Sequence, residues 1–530
     1  MPTLNWIGKE KVINHHRDVP FKILEHKYGF NETDGEVKEA VNSGNKIIHG
    51  DNLEALKSLL PEYEGKIKCI YIDPPYNTGN ENWIYNDNVN HPKIKKWLGK
   101  VVGGESDDLS RHDKWLCMMY PRLKLLHKLL SSEGALLISI DEIELFYLKN
   151  ICDEIFGSSG FKANLIWKSR QIVDSRNQSM ISNDHEYVLV YGKSSKFKFR
   201  GKYSSKEKYS NPDKDIRGPW MSNSILGLAN AEQRPNLHYS VIDPETGIEY
   251  PCPPNTGWRY SKETMQKKIE EKRIFFPSKK GGRPREKKYQ YELASEFTGF
   301  SSILSEEVGY TMHGTRTVRE IVPDSKFPFP KPYELVQTII EQITDVDSVI
   351  LDSFAGSGTT AHAVLNLNRK DNGNRKFVLI EMEDYANSVT AERAKKVIKG
   401  YSSNEGTGGN FDYYELGKPL FVGENSEYLN EEVDTEKIRE YVWYSETRTA
   451  FDPLSIKKDT QYLLGKKDGT AYYFIYEKNA LTTLDYDTLA SIKTKAGQYV
   501  IYADNCLLPK DFMLKKNIVF KKIPRDVTRF

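Results

Sequence analysis

Two short apolar runs, far apart in the chain, each end in an acid and then a turn. KCIYI runs into Asp73-Pro74-Pro75-Tyr76, and VILD runs into Ser353-Phe354-Ala355-Gly356-Ser357-Gly358 ahead of an apolar helix pattern. Strand, sharp turn and helix form the repeat of an open parallel sheet, whose ligands sit outside the carboxyl ends of its strands. The neighbouring sequence keeps this grammar. KIIHG precedes NLEALKSLL, in which Leu53, Leu56, Leu59 and Leu60 have helical spacing. Trp115 to Leu130 is helical in pattern, with Pro121 as a break or first turn. ALLISI leads into Asp141-Glu142 and the helical IELFYLKNICDEIF, and NLIW and EYVLVYG are two further strands. KPYELVQTIIEQI and KFVLIEME continue the alternation. The fold class predicted is α/β, a doubly wound Rossmann-like sheet with helices on both faces.

Between these halves the composition changes. Residues 193–310 are rich in Gly, Pro, Asn and Ser and weak in periodicity, which predicts an inserted loop-rich domain. Residues 1–192 then hold the Asp73 half of the sheet domain and residues 311–400 its glycine-loop half. Residues 401–424 read as a linker. Residues 425–530 read as a small α/β domain with strand-like YYFIY, QYVIYA and NIVFKKI around helical TLDYDTLASI. Residues 1–45 are polar, and His15-His16 is expected to be a surface pair.

Composition excludes several classes of function. The 76 basic and 74 acidic residues leave a net charge of +2, so any nucleic-acid surface must be a local patch. There is no stretch apolar enough to span a bilayer and no signal peptide at the start, so no membrane partner is expected. The five cysteines, Cys69, Cys117, Cys152, Cys252 and Cys506, lack short pairing, which argues against a zinc site or disulfide framework; no metal is expected, and a cytoplasmic location is.

The residue types at the two turns suit particular chemistry. Pro74 and Pro75 have no N–H, so the loop presents carbonyls only, and Asp73 adds a carboxylate acceptor. A planar amino group with two hydrogens matches Asp73 and the Pro74 carbonyl together. Tyr76 offers a face on which a base can stack. A rigid turn with a stray acid is the plainer alternative. In the second turn, Gly356 and Gly358 permit close backbone approach, the following helix aims its N-terminus at a ligand, and Glu381 ends the next strand, where an acid can bond ribose hydroxyls. Those features also suit a nicotinamide cofactor. Asp51 could accept from an adenine amino group or cap the helix after it; both can hold.

Asp-Pro-Pro-Tyr followed much later by Phe-x-Gly-x-Gly resembles the β-class DNA amino-methyltransferases, in which the catalytic loop precedes a target-recognition domain and the cofactor loop comes last. YIDPPYNTGNENWIYND, HEYVLVYG, LDSFAGSGTTAHAVL and GTGGNFDYYELG are similar to the modification (Mod) subunits of Type III restriction systems and to stand-alone adenine methyltransferases. The resemblance implies transfer of a methyl group from S-adenosylmethionine to adenine N6 in double-stranded DNA, with cytosine N4 or an RNA base as the alternative target. By position it implies that Asp73, Pro74, Pro75 and Tyr76 are catalytic. It implies that Asp51, Asp352, Phe354, Gly356, Ser357, Gly358 and Glu381 surround the cofactor, with Lys331 at its methionine end. The inserted domain would read DNA, with Lys198, Arg200, Arg234, Trp258, Arg259, Arg283 and Arg285 as candidate contacts. A homodimer and a restriction (Res) subunit are the implied protein partners.

Overall fold

The structure is a computed structural model that describes residues 3–78, 108–175, 181–203, 208–277, 281–293, 297–424, 426–452 and 462–530. The chain divides into two compact units, Met1–Phe199 with Ser301–Phe530, and Arg200–Phe300.

In the first unit, ten strands form one sheet among the described residues. In chain order they are β1 (Lys22–Asn31), β2 (Gly35–Val37), β3 (Lys46–His49), β4 (Ile67–Ile72), β5 (Leu130–Ile140), β6 (Phe161–Lys168), β7 (His185–Gly192), β8 (Val349–Asp352), β9 (Lys376–Glu381) and β10 (Asn410–Pro419). Their order across the sheet is β2-β1-β10-β3-β9-β8-β4-β5-β7-β6. Strands β10, β3, β9, β8, β4 and β5 pair in parallel. Strand β7 runs antiparallel between β5 and β6. The central strands carry unbroken apolar runs because helices cover both faces; Ile70, Ile72, Leu136, Ile138, Leu351 and Val378 are all fully buried. The helices that matter for the site are α1 (Asn52–Ser58), α2 (Asp108–Leu129), α3 (Leu145–Phe156), α4 (Tyr333–Glu341), α5 (Thr359–Asp371) and α6 (Glu392–Lys399).

The winding reverses between β8 and β4. From β8 the chain passes through α5 to β9 on one side, while β4 lies on the other side and leads through α2 to β5. Ile350 pairs with Cys69 and Leu351 with Ile70. Asp73 and the glycine loop therefore leave adjacent strands at the same edge, beside the crevice that such a reversal opens.

Several expectations need correction. Residues 401–424 are no linker: β10 lies within the sheet between β1 and β3. Its aromatic residues make the pairing worthwhile, with Tyr28 stacked on Tyr413 at 5.0 Å and Phe30 on Phe411 at 5.5 Å between centroids. Pro121 breaks nothing, since α2 runs through it with buried residues on either side. His15 and His16 are buried, and burial, reinforced by nearby Lys128, lowers the pKa of His16 to about 3. Residues 425–530 do form a four-stranded sheet, but they also rejoin the first unit. Helix Thr435–Thr447 packs Tyr441 and Tyr444 against Phe530 within the same apolar core as α1 and α2.

The second unit is built from short strands around Ile225, Val241, Trp258, Met265 and Ile269. Trp258 is 1 % exposed, and its indole N–H donates to the Tyr239 carbonyl at 2.6 Å. It is a core residue, so its expected DNA contact is withdrawn. The basic stretch holding Arg283, Arg285, Lys287 and Lys288 is partly neutralised. The Lys287 ammonium lies between Asp213 and Asp215, and buried Glu286 accepts from Lys268 at 2.7 Å and Tyr260 at 2.6 Å. Arg234, Arg259, Arg283 and Arg285 are exposed, Arg200 is half-buried, and exposed Lys198 falls in the first unit.

Trp258→Ala should cost this small core about 3–5 kcal/mol. Hydrogen exchange followed by mass spectrometry should then show deprotection confined to residues 200–300. Unchanged exchange there would contradict the assignment of Trp258 to the core.

Candidate active site

The first loop is anchored from three directions. Both Asp73 carboxylate oxygens accept from the Lys331 ammonium at 2.9 Å. Lys331 lies just before α4, and its side chain is only 9 % exposed. The same ammonium is 3.4 Å from Glu186 Oε2 on β7 and lies over the rings of Tyr76 at 4.8 Å and Trp167 at 5.9 Å. The Tyr76 hydroxyl donates to that Glu186 oxygen at 3.0 Å. The Trp115 indole of α2 donates to the Pro75 carbonyl at 2.7 Å. Past the tyrosine, Asn77 sits at φ 61°, a left-handed conformation that Asn tolerates, and donates to buried Glu144. Glu144 also bonds His112 Nδ1 at 2.6 Å. Burial raises the Asp73 pKa and Lys331 opposes that rise. Burial also works against the Lys331 charge, but Asp73 and Glu186 outweigh it and hold the ammonium protonated.

The second loop is tied down by its own acids. Asp352 accepts from the Phe354 N–H at 3.0 Å and from the Thr360 hydroxyl at 2.5 Å, which fastens the turn to the start of α5. Gly356 (φ 52°) and Gly358 (φ 80°) are both left-handed. A Cβ on Gly356 would come within 2.8 Å of the tip of the Phe327 ring and would sit on a left-handed backbone, so glycine is favoured there. Glu381 accepts three backbone N–H groups, from Gly356 at 2.7 Å, Met382 at 2.9 Å and Glu383 at 3.0 Å. Asp51 caps α1 by accepting from Leu53 and Glu54, and the preceding Gly50 N–H donates to the Glu381 carbonyl at 2.9 Å. The Asp51 turn and Glu381 thus adjoin at the ends of β3 and β9. The buried Arg393 guanidinium supports the loop from below, donating to the hydroxyls of Ser357 and Thr359, each at 2.9 Å. Lys331 connects the two loops: its ammonium bonds Asp73, and its carbonyl accepts from the Thr359 hydroxyl at the start of α5 at 3.4 Å.

A model of the DNA methylase family matches residues 67–392, which span both loops.

The chain belongs to the DNA methylase family.

Among its relatives, the Type III restriction-modification enzyme StyLTI Mod subunit of Salmonella typhimurium is 33 % identical over 67 % of this chain and 55 % of its own length. The EcoP15I Mod subunit of Escherichia coli is 30 % identical over 76 % of this chain and 67 % of that protein. The Type II methyltransferase M.KpnI of Klebsiella pneumoniae is 32 % identical over 64 % of this chain and 81 % of that protein. The chain thus spans between about half and two thirds of the length of the Type III relatives.

In this member of the DNA methylase family, the fold gathers Asp73, Tyr76 and Lys331 into one cluster and Asp51, Gly356, Ser357, Gly358 and Glu381 along the adjoining strand ends. Asp352 and Ser357 face inward and shape the loop. Lys331, implied to lie near the cofactor's methionine end, directs its ammonium at Asp73. Reading the sequence missed Glu186, Glu144 and Arg393. HEYVLVYG did place Glu186 at the polar start of a strand, but its partners come from β4 and the segment before α4, which only the fold brings near. Among the described residues no group of His, Cys, Asp and Glu could hold a metal ion.

Burial pushes both Asp352 and Glu381 up to about 7. A carboxyl with a raised folded pKa binds more protons folded than unfolded, so its contribution favours folding at low pH and is lost as pH rises through about 7. Thermal unfolding from pH 5 to pH 8 should therefore show wild type losing stability relative to Glu381→Gln as pH rises. A constant difference between the two would refute the shifted carboxyl.

Proposed function

We propose that this chain methylates N6 of an adenine flipped out of double-stranded DNA, using S-adenosylmethionine, as the modification component of a restriction-modification system. The observation that carries the reading is the parallel pairing of β8 with β4, which sets an amino-group acceptor beside a glycine loop at one sheet edge. The names of the Type III relatives support the modification role, and with it partnership with a restriction subunit and a second copy of the chain. The exposed arginines Arg234, Arg259, Arg283 and Arg285 are proposed to contact the duplex.

The residues at the second loop fit S-adenosylmethionine. Glu381 is an acceptor for ribose hydroxyls, Asp51 lies beside it for the adenine ring, and the buried Ser353 hydroxyl has no partner among the described residues. The bound cofactor supplies a methyl group already activated on a sulfonium, so the protein has no leaving group to create. Its task is positioning.

Adenine N6 is a weak nucleophile because its lone pair is delocalised into the ring. Asp73 and the Pro74 carbonyl accept the two amino hydrogens, which draws the nitrogen toward tetrahedral geometry and frees the lone pair. Tyr76 stacks on the extruded base and repays part of the unstacking cost, on the order of a few kcal/mol. As the N–C bond formed and the donor's C–S bond broke, positive charge would pass from sulfur to nitrogen, where the Asp73 carboxylate would stabilise it until the nitrogen gave up its extra proton to solvent.

Asp73→Ala should lower transfer by about a hundredfold or more, with S-adenosylmethionine affinity by calorimetry unchanged. Long-read sequencing of DNA from a host expressing the wild type should find N6-methyladenine at one recurring sequence, absent with Asp73→Ala. N4-methylcytosine would move the target, and no modified base would end the proposal.

A further inference from the structure

Asp73 poses a problem for the chemistry just described. Both of its oxygens are taken by the Lys331 ammonium. An incoming amino group must therefore share or displace a strong, half-buried, charge-assisted contact. The displaced cation needs another anion, because a buried ammonium left unpaired is costly. Glu186 is that anion. Its Oε2 already lies 3.4 Å from Lys331 Nζ, so a short shift completes the bond. That same oxygen accepts from the Tyr76 hydroxyl at 3.0 Å, so one carboxylate governs both the cation and the stacking ring. Glu186 has its own support: it sits on β7, which is hydrogen-bonded on both sides by β5 and β6.

We propose that Glu186 is a positioning residue of the methylation site: it receives the Lys331 ammonium as the target amino group takes over Asp73, and it holds the Tyr76 ring by its hydroxyl. The inference rests on the adenine-N6 reading above and deepens it. Glu186 touches no reacting atom. It sets how readily Asp73 is released for the base, and through Tyr76 it sets where the base lies.

The assignment predicts a specific pattern of coupling. Without the Glu186 charge, Lys331 has only Asp73, and the amino group must compete with it. Without the Lys331 charge there is no cation to receive, and Glu186→Gln, whose amide oxygen still accepts from the Tyr76 hydroxyl, should matter little. The acid limb of the pH profile should also move. Asp73 must be ionised to accept, and it is faced by Lys331, Tyr71, Tyr76, Glu186 and Asp352. Removing the negative Glu186 lowers the Asp73 pKa, so the limb shifts to lower pH even as the rate falls.

The test is single-turnover transfer of tritiated methyl from S-adenosylmethionine to a duplex carrying the site, with the full chain as wild type, Glu186→Gln, Lys331→Met and the double variant. Wild-type transfer to adenine comes first; if it is absent, the functional reading fails independently of Glu186. Given wild-type activity, Glu186→Gln should lower the rate about tenfold or more, with cofactor affinity unchanged and the acid limb displaced downward. In the Lys331→Met background the same substitution should change the rate less than about threefold. Equal losses in both backgrounds, an unmoved acid limb, or a rate within about threefold of wild type would overturn the proposal. If Glu186→Gln does not fold, Glu186→Asp is read in its place. It keeps the charge one methylene short but draws it back from both Lys331 and the Tyr76 hydroxyl, so it should lose more rate where Lys331 is present than in the Lys331→Met background, and equal loss in both overturns the proposal.

Discussion

Parallel pairing of Ile350 with Cys69 and of Leu351 with Ile70 is the constraint on which the site depends. Each strand is short, and each is buried by helices that would lose their apolar cover if the register slipped. A shift by one residue would turn Ile70 and Leu351 toward the wrong face and carry Asp73 away from Lys331. The core that α1, α2 and α3 build against the sheet is thus also what aligns the chemistry.

The site is a crowded electrostatic arrangement. Asp73, Lys331, Glu186 and Tyr76 form one connected group, and Glu381, Asp352 and Asp51 each spend oxygens on backbone N–H groups. Such a group is inexpensive only when every member is satisfied. Its members come from β7, from the ends of β3, β4, β8 and β9 and from the segment before α4, so their positions are set by the whole sheet. That explains why the strand ends are rigid here: prolines at 74 and 75, left-handed glycines at 356 and 358, and a carboxylate holding each turn.

What could be read from the sequence was local. Asp73 to Tyr76 and Phe354 to Gly358 announce themselves because each is a short turn fused to an apolar strand, and neighbouring residues dictate both. The partners of those turns are distant. Glu186 is an ordinary acid until β7 folds in antiparallel beside β5. Strand β10 looked like a linker because its pairing with β1 spans almost four hundred residues and its sequence mixes charges with aromatics; backbone pairing with β1 and β3, with Phe411 and Tyr413 against Phe30 and Tyr28, makes it a strand. Trp258 sat among basic and aromatic residues, a composition that suits DNA contact, but a tryptophan in a small domain is also its best core residue. Lys287 stands in a run of basic residues whose neighbours in sequence do not neutralise it; its partners Asp213 and Asp215 lie over seventy residues earlier.

The central claim is that the loops after β4 and β8 serve one reaction from adjoining strand ends. A crystal structure of the chain with S-adenosylhomocysteine and a duplex containing its recognition site tests this most directly. The account predicts ribose hydroxyls on Glu381, an adenine extruded onto Tyr76 with its amino group on Asp73, and the thioether sulfur facing that nitrogen. A cofactor bound away from Gly356, or a base held apart from Asp73, would contradict it.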